Sequence, residues 1–322
     1  MKLTTIYSHL RSDLSTIEKD LEKTIEAQHA ILQDASTQLL KAGGKRIRPV
    51  FVLLSAQFGT YDVDRVKRAA VALELIHMAS LVHDDVIDDA SLRRGKSTIK
   101  AQWDNRVAMY TGDYIFARSL EYITHLNKVE AHNVLSHAIV EMCLGEIEQI
   151  REQYDLSQNL RDYFRRIKRK TALLISVSCE LGAIAGDADS DTQLQLKRFG
   201  YYVGMAFQIT DDILDFTSTE KQLGKPAGGD LQQGNITLPV FFAREDEEIN
   251  TQLHALFENQ PISRLDIEKL LHAIKETDAI NRSKEIADRY LQKAFIALDQ
   301  LPDNRAKKSL RQIAEYIGRR NY

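Results

Sequence analysis

A chain of 322 residues with 43 Lys and Arg against 46 Asp and Glu carries a formal charge of −3, without the strongly basic balance of a nucleic-acid binder. Its two cysteines, Cys143 and Cys179, lack metal-ligand spacing and are expected as buried thiols in a reducing compartment. The first residues contain no signal-peptide core, and no run reaches the ~18 apolar residues of a membrane span, so a soluble cytoplasmic protein is expected.

Aliphatic residues recur at i, i+3 and i+4 through long segments and only five prolines interrupt them, so the fold class is all-α, with 1–322 read as a single domain. Residues 3–41 read as two amphipathic helices, with Leu14, Ile17, Leu21 and Ile25 lining the first. Gly43 and Gly44 break that pattern, and Lys45-Arg46-Ile47-Arg48-Pro49 opens a helix with Pro in its first turn. Lys45 and Arg48 there place cations at the positive pole of a helix, an arrangement that suits a bound anion. Residues 66–89 form a helix apolar almost all round, which belongs in the middle of a bundle.

That helix ends in Asp84-Asp85-Val86-Ile87-Asp88-Asp89. At ~100° per residue Asp84 and Asp88 share one face, and His77 lies on the same stripe. Carboxylates massed at the negative pole of a helix repel one another and the dipole, so the arrangement calls for cations. Mg²⁺ fits, because it takes oxygen ligands, keeps several waters, and binds through one or two carboxylates plus substrate phosphates. Arg93, Arg94 and Lys96 follow at once, as groups for phosphate oxygens or as structural ion-pair partners.

Residues 100–126 read as one helix, with Trp103 in the core. In the helix expected over 131–154, Gly145 suits a close crossing, and Glu141, Glu146 and Glu148 read as solvated or hydrogen-bonded. The segment 160–185 carries the run from Arg165 to Thr171, mostly a solvated face, from which Lys170 and Thr171 are the candidates to turn inward. A second core helix over 191–218, with Gly204 allowing close packing, ends in Gln208-Ile209-Thr210-Asp211-Asp212-Ile213-Leu214-Asp215 and repeats the Asp-Asp-x-x-Asp spacing. The glycine-rich stretch from Leu223 to Pro239 reads as a loop or lid carrying Lys225 and Asp230, and amphipathic helices follow it.

With these motifs in their order, the chain resembles the trans-isoprenyl diphosphate synthases over essentially its whole length. The resemblance rests on Gly43 to Pro49, Asp84 to Asp88 with Arg93 and Arg94, Lys170-Thr171, Gln208 to Asp215, and Gly224-Lys225-Pro226. It implies an antiparallel helical bundle around a deep cavity, with the two aspartate motifs facing each other across its mouth. It assigns catalysis to Asp84, Asp85, Asp88, Lys170, Asp211 and Asp212. Up to three Mg²⁺ ions would be held by Asp84, Asp88, Asp211 and Asp215. Isopentenyl diphosphate would bind Lys45, Arg48, His77 and Arg94, and the allylic, farnesyl-type diphosphate would bind Arg93, Lys170, Thr171, Gln208 and Lys225.

The chemistry implied is loss of diphosphate from an allylic carbon, attack by the double bond of isopentenyl diphosphate, and loss of a proton, with water excluded. In such enzymes bulky residues four and five positions before the first aspartate stop growth early. Here Ser80 and Ala79 stand there, and their small size suits a long all-trans product. The resemblance implies a heptaprenyl chain for menaquinone, or a hexa- or octaprenyl chain if the enzyme is a homodimer. Many relatives have a Lys where Gly229 precedes Asp230, so one cation of that stretch is missing here. Partners implied are a dissimilar smaller subunit or a second copy in a homodimer.

Two other readings use part of the pattern. Glu26/His29 and Glu74/His77 fit the Glu-x-x-His of di-iron bundles, but that leaves the aspartates and cations without work. A terpene cyclase shares the first motif, but has no second diphosphate to explain Lys45 and Arg48.

Overall fold

The computed structural model describes residues 3–93, 95–218, 227–258 and 261–319, and these are almost entirely helical. The N-terminal region forms three helices, α1 (Leu3–His9), α2 (Arg11–Thr24) and α3 (Ala30–Lys41), where periodicity alone suggested two. The chain bends at Leu10, which is itself buried. Helices α4 (Ile47–Ala56) and α5 (Val63–Ile87) follow, and the Asp62 side chain caps α5 by accepting from the Asp64 N–H at 3.0 Å.

Two short antiparallel strands, β1 (Leu92–Arg93) and β2 (Lys96–Ser97), interrupt the helices in a way the all-α expectation did not include. The helix expected over 100–126 is divided into α6 (Ile99–Gln102) and α7 (Asn105–Ile123). The break falls where Asp104 accepts from the Val107 N–H at 2.7 Å and starts a new helix. Trp103 packs, partly buried, against Ala35, Val82, Ile99 and Ala108.

Next come α8 (Val129–Glu152), α9 (Leu160–Ile167), a single π turn (Lys168–Ala172), α10 (Leu173–Ala185) and α11 (Ser190–Thr217). The last part of the chain holds α12 (Gly229–Gln232), α13 (Leu238–Ala243), α14 (Glu247–Glu258), α15 (Arg264–Glu276), α16 (Ala279–Asp299) and α17 (Arg305–Gly318).

The chain folds as two compact units, neither continuous in sequence. The first comprises Met1–Ser136, Val177–Lys197 and Leu301–Leu310, and the second His137–Ser176, Arg198–Gln300 and Arg311–Tyr322. In the first unit α5 packs chiefly on α7 and α4, and its residues from Val66 to Val82 are largely buried, as an all-round apolar helix requires. In the second, Tyr163, Ile209, Phe216, Leu231 and Phe241 lie in one core with α13 to α16. Cys179 is buried, and burial pushes its thiol up to about 12, whereas Cys143 is exposed on α8, contrary to the sequence expectation. Among the described residues no helix is long and apolar enough to cross a membrane.

Candidate active site

In the first unit α5 delivers its aspartates at the last turn. Its C-cap is Asp88, and Asp89 adopts a left-handed conformation with φ of 50°, which ends the helix. The four carboxylates then separate by environment. Asp84 is half-buried, Asp88 and Asp89 are exposed, and Asp85 is 4% exposed. Arg93 reaches across from β1 and sets both Nε and Nη2 2.8 Å from Asp85 Oδ1. Burial, reinforced by repulsion from Asp88, raises the Asp85 carboxyl above the usual carboxylate range, although Arg93 pulls the other way. Lys100 pairs with Asp89 and holds that carboxyl below its ordinary value. Arg93, expected on the allylic diphosphate, is therefore engaged with Asp85 in this structure.

The same unit carries the expected isopentenyl diphosphate residues. Gly43 (φ 76°) and Arg46 (φ 46°) turn the chain so that Lys45 stands exposed just before α4 and Arg48 lies half-buried in its first turn. Arg46 itself is committed, because its guanidinium donates to Glu18 and, at 3.0 Å, to Glu74 Oε1. That pairing also occupies the Glu74 of the di-iron alternative, which is 4% exposed. His77 is half-buried on α5, Ala79 is 1% exposed, and Ser80, half-buried, donates its hydroxyl to the His77 carbonyl at 2.9 Å. Arg94, Gly224, Lys225 and Pro226 lie outside the described residues.

In the second unit the π turn brings Lys170 and Thr171 onto one short segment, and single π turns inside α-helices recur at functional sites. Two glycines let their helices close on it. A Cβ on Gly145 of α8 would stand 2.6 Å from Arg169 Cβ, and one on Gly204 of α11 would stand 2.5 Å from Ala172 Cα. Thr171 Oγ1 donates to Gln208 Oε1 at 2.5 Å, Gln208 Nε2 donates to Asp212 Oδ1 at 2.7 Å, and Tyr163 Oη donates to Asp212 Oδ2 at 2.7 Å. Lys170, exposed, donates to Gln149 Oε1 at 2.8 Å.

The second motif separates as the first does. Asp211 is exposed, while Asp212 and Asp215 are 2% and 3% exposed. Desolvation, with the nearby Asp230 adding repulsion, raises the Asp212 carboxyl well above the usual range. Asp215, expected among the metal ligands, accepts from the Asp230 N–H at 3.2 Å through Oδ2 and from the Gly228 N–H at 2.9 Å through its backbone carbonyl. It thus ties the end of α11 to the start of α12.

A cavity of about 60 Å³ lies among Lys170, Gln208, Asp212, Asp230, Tyr163 and Arg166. Tyr163 and Arg166 line this cavity, and neither was singled out from the sequence. Arg166 was expected on a solvated face, yet it is 5% exposed and donates to Glu152 Oε2 at 3.0 Å and Gln158 Oε1 at 2.6 Å. Arg169 pairs with Glu141 and Glu148 at 3.0 and 2.6 Å, and of the charged run Lys168 and Lys170 are the exposed members.

Among the described residues, no three His, Cys, Asp or Glu side chains converge tightly enough to cage an ion by themselves. In the first unit Asp88 is exposed and Asp84 half-buried, and in the second Asp211 is exposed. Carboxylate oxygens of this kind suit a hard cation completed by water and phosphate oxygens.

The family described as Polyprenyl synthetase matches residues 29–274. The chain is 58% identical to heptaprenyl diphosphate synthase component 2 of Bacillus subtilis (strain 168), across 100% of this chain and 92% of that protein. A crystal structure of heptaprenyl diphosphate synthase from Staphylococcus aureus is 42% identical, with a TM-score of 0.92 over 97% of this chain and 99% of that one. A polyprenyl synthase from Caulobacter crescentus CB15, crystallised with calcium and isoprenyl diphosphate, is 29% identical with a TM-score of 0.94 over 99% and 98% of the two chains. Its neighbours share the isoprenoid synthase fold, and members of the family generally use Mg²⁺. The chain belongs to the polyprenyl synthetase family and is a prenyltransferase.

Proposed function

We propose that this chain is the catalytic subunit of a heptaprenyl diphosphate synthase, which adds isopentenyl diphosphate repeatedly to a farnesyl-type allylic diphosphate. The long all-trans product would serve as a menaquinone side chain, and the enzyme would work in the cytoplasm. The observation that carries the reading is the division within both aspartate motifs. Asp88 and Asp211 are exposed and Asp84 half-buried, while Asp85 and Asp212 are buried and held by named donors. The interleaving of the two units along the sequence supports treating 1–322 as one functional domain.

In this reading Asp84, Asp88 and Asp211 hold up to three Mg²⁺. Bound there, the metal would supply the positive charge that the leaving diphosphate needs. Lys170, with Thr171, Gln208 and Lys225, orients the allylic diphosphate, and Arg93 joins them when it exchanges Asp85 for phosphate oxygens. Lys45, Arg48, His77 and Arg94 hold isopentenyl diphosphate so that its double bond meets the allylic carbon. No residue among these is required as a base, since the departing diphosphate can accept the proton. Purified chain given Mg²⁺, farnesyl diphosphate and isopentenyl diphosphate, with and without a small subunit, tests the proposal by the size of its prenyl products. Absence of condensation in both arms would refute it.

The product length is assigned to Ala79 and Ser80. Ser80→Phe is expected to shorten the product by at least one isoprene unit, because the aromatic ring would fill a path that the small residue leaves open. Chromatography of the dephosphorylated chains checks this, and an unchanged length would count against the assignment.

The name component 2 borne by the B. subtilis relative supports a dissimilar partner subunit. α8 offers such a partner a surface, with Val140, Leu144 and Ile147 exposed at 55, 46 and 65% on one helical stripe. Leu144→Glu with Ile147→Glu is expected to weaken association with the small subunit at least ~10-fold, in line with loss of a buried apolar anchor. Analytical ultracentrifugation of the mixture reads this directly and also reveals a homodimer. Unchanged association would place the interface elsewhere.

A further inference from the structure

We propose that Tyr163 is a positioning residue for the second aspartate motif, acting through Asp212 and Gln208. The inference rests on the reading of that motif as a metal and diphosphate site. Tyr163 is 0% exposed, and its ring packs against Phe164 and Phe241 with centroids 5.3 and 5.8 Å away. A phenol so enclosed has one place to send its proton, and it sends it to Asp212 Oδ2 at 2.7 Å.

The second oxygen of Asp212 accepts from Gln208, whose own carbonyl accepts from Thr171. Tyr163, Asp212, Gln208 and Thr171 thus form one chain of three hydrogen bonds, with both outer members on the segment that α9 and the π turn provide. On a plain α-helix, residues eight apart diverge by ~80°, and the extra residue absorbed by a π turn reduces that to ~20°. The π turn brings Tyr163 and Thr171 closer to one direction, and both reach the same stretch of α11.

The consequence concerns Asp211. Its neighbour Asp212 points into the core, clamped on both oxygens, so α11 cannot rotate about its axis without breaking two bonds to a buried carboxylate, which is costly. Clamping Asp212 therefore fixes the direction in which Asp211, ~100° further round, presents its carboxylate to solvent. A supporting group of this kind, removed, typically lowers metal affinity or activity ~10–100-fold.

The test uses the full chain with its small subunit. Tyr163→Phe keeps the ring and removes one hydroxyl. It is expected to raise the Mg²⁺ concentration for half-maximal rate and the KM for the allylic diphosphate by about 10-fold, with a smaller change in the KM for isopentenyl diphosphate. In an Asp212→Asn background the same substitution should add little, because the residue it acts through is already altered. A folded Tyr163→Phe enzyme with unmoved Mg²⁺ dependence, or effects that multiply in full with Asp212→Asn, would overturn the proposal. If Tyr163→Phe does not fold, 3-fluorotyrosine at the position keeps the ring and strengthens the donor, and an unmoved Mg²⁺ midpoint then overturns it. Asp211→Asn separates the two levels. If it too leaves the Mg²⁺ dependence unchanged, the reading of the motif fails; if it shifts the dependence while Tyr163→Phe does not, only the role of Tyr163 fails.

Discussion

Asp88→Asn is expected to lower turnover about 10²–10³-fold while leaving the fold at least as stable as before. The substitution preserves volume and hydrogen-bonding shape and removes one negative charge. Asp88 is exposed at the C-cap of α5, where a carboxylate meets the negative end of the helix and repels the buried Asp85. Without a cation, neutralising it relieves repulsion, so the melting temperature should stay level or rise. In the proposed reading Asp88 would help to hold the Mg²⁺ that offsets charge on the leaving diphosphate, so its loss would fall on the chemical step. A residue serving only the fold would show the opposite pattern, with stability lost and turnover kept. Steady-state rates at saturating Mg²⁺, measured beside a thermal melt, decide between them. Turnover within about threefold of the parent would remove Asp88 from the site, since losing a single preorganised group should cost far more.

Arg166→Leu is expected to destabilise the protein by about 3–5 kcal/mol, a large share of the ~5–15 kcal/mol by which domains are stable. Arg166 and Glu152 are each 6% exposed at the side chain, with Nη1 and Oε2 3.0 Å apart. Arg166 also donates to Gln158 Oε1 at 2.6 Å and to the Ile236 carbonyl. Removing the cation leaves the buried Glu152 carboxylate with Arg151, 3.8 Å away and largely exposed, as its ion-pair partner, and frees the segment at Ile236 beside the cavity at Asp212. The double substitution Arg166→Leu with Glu152→Leu should recover much of the loss, because an apolar pair of similar volume has no charge to desolvate. Denaturant unfolding of the two variants reads the difference directly. An Arg166→Leu protein with a midpoint matching the parent would mean that water already serves this pair.

Both predictions depend on features that differ in how visible they were. Asp88 belongs to a spacing that any helix turns into geometry, so its place with Asp84 on one face followed from the sequence. Arg166 sits in a run with five charged residues from Arg165 to Lys170, a pattern that usually marks a solvated face. Nothing local distinguishes it from Lys168, which is exposed. The distinction arises from Glu152, Gln158 and Ile236, which lie on other segments.

The sequence by itself determined the helical class, the two acidic helix ends, the basic entry at Lys45 to Pro49 and the membership that these motifs imply. Those features are local, and local geometry follows from ~100° per residue with caps and breakers to mark the ends. Within each motif, however, the aspartates are chemically identical on paper. Tertiary structure alone decided that Asp211 faces water while Asp212 is buried, and that Asp85 meets Arg93. It also decided the place of Tyr163, which is 49 residues from its partner Asp212. On a regular α-helix Tyr163 and Thr171 would stand ~80° apart; the π turn brings them closer, because the extra residue it absorbs shifts the register, and no periodicity in the sequence announces it.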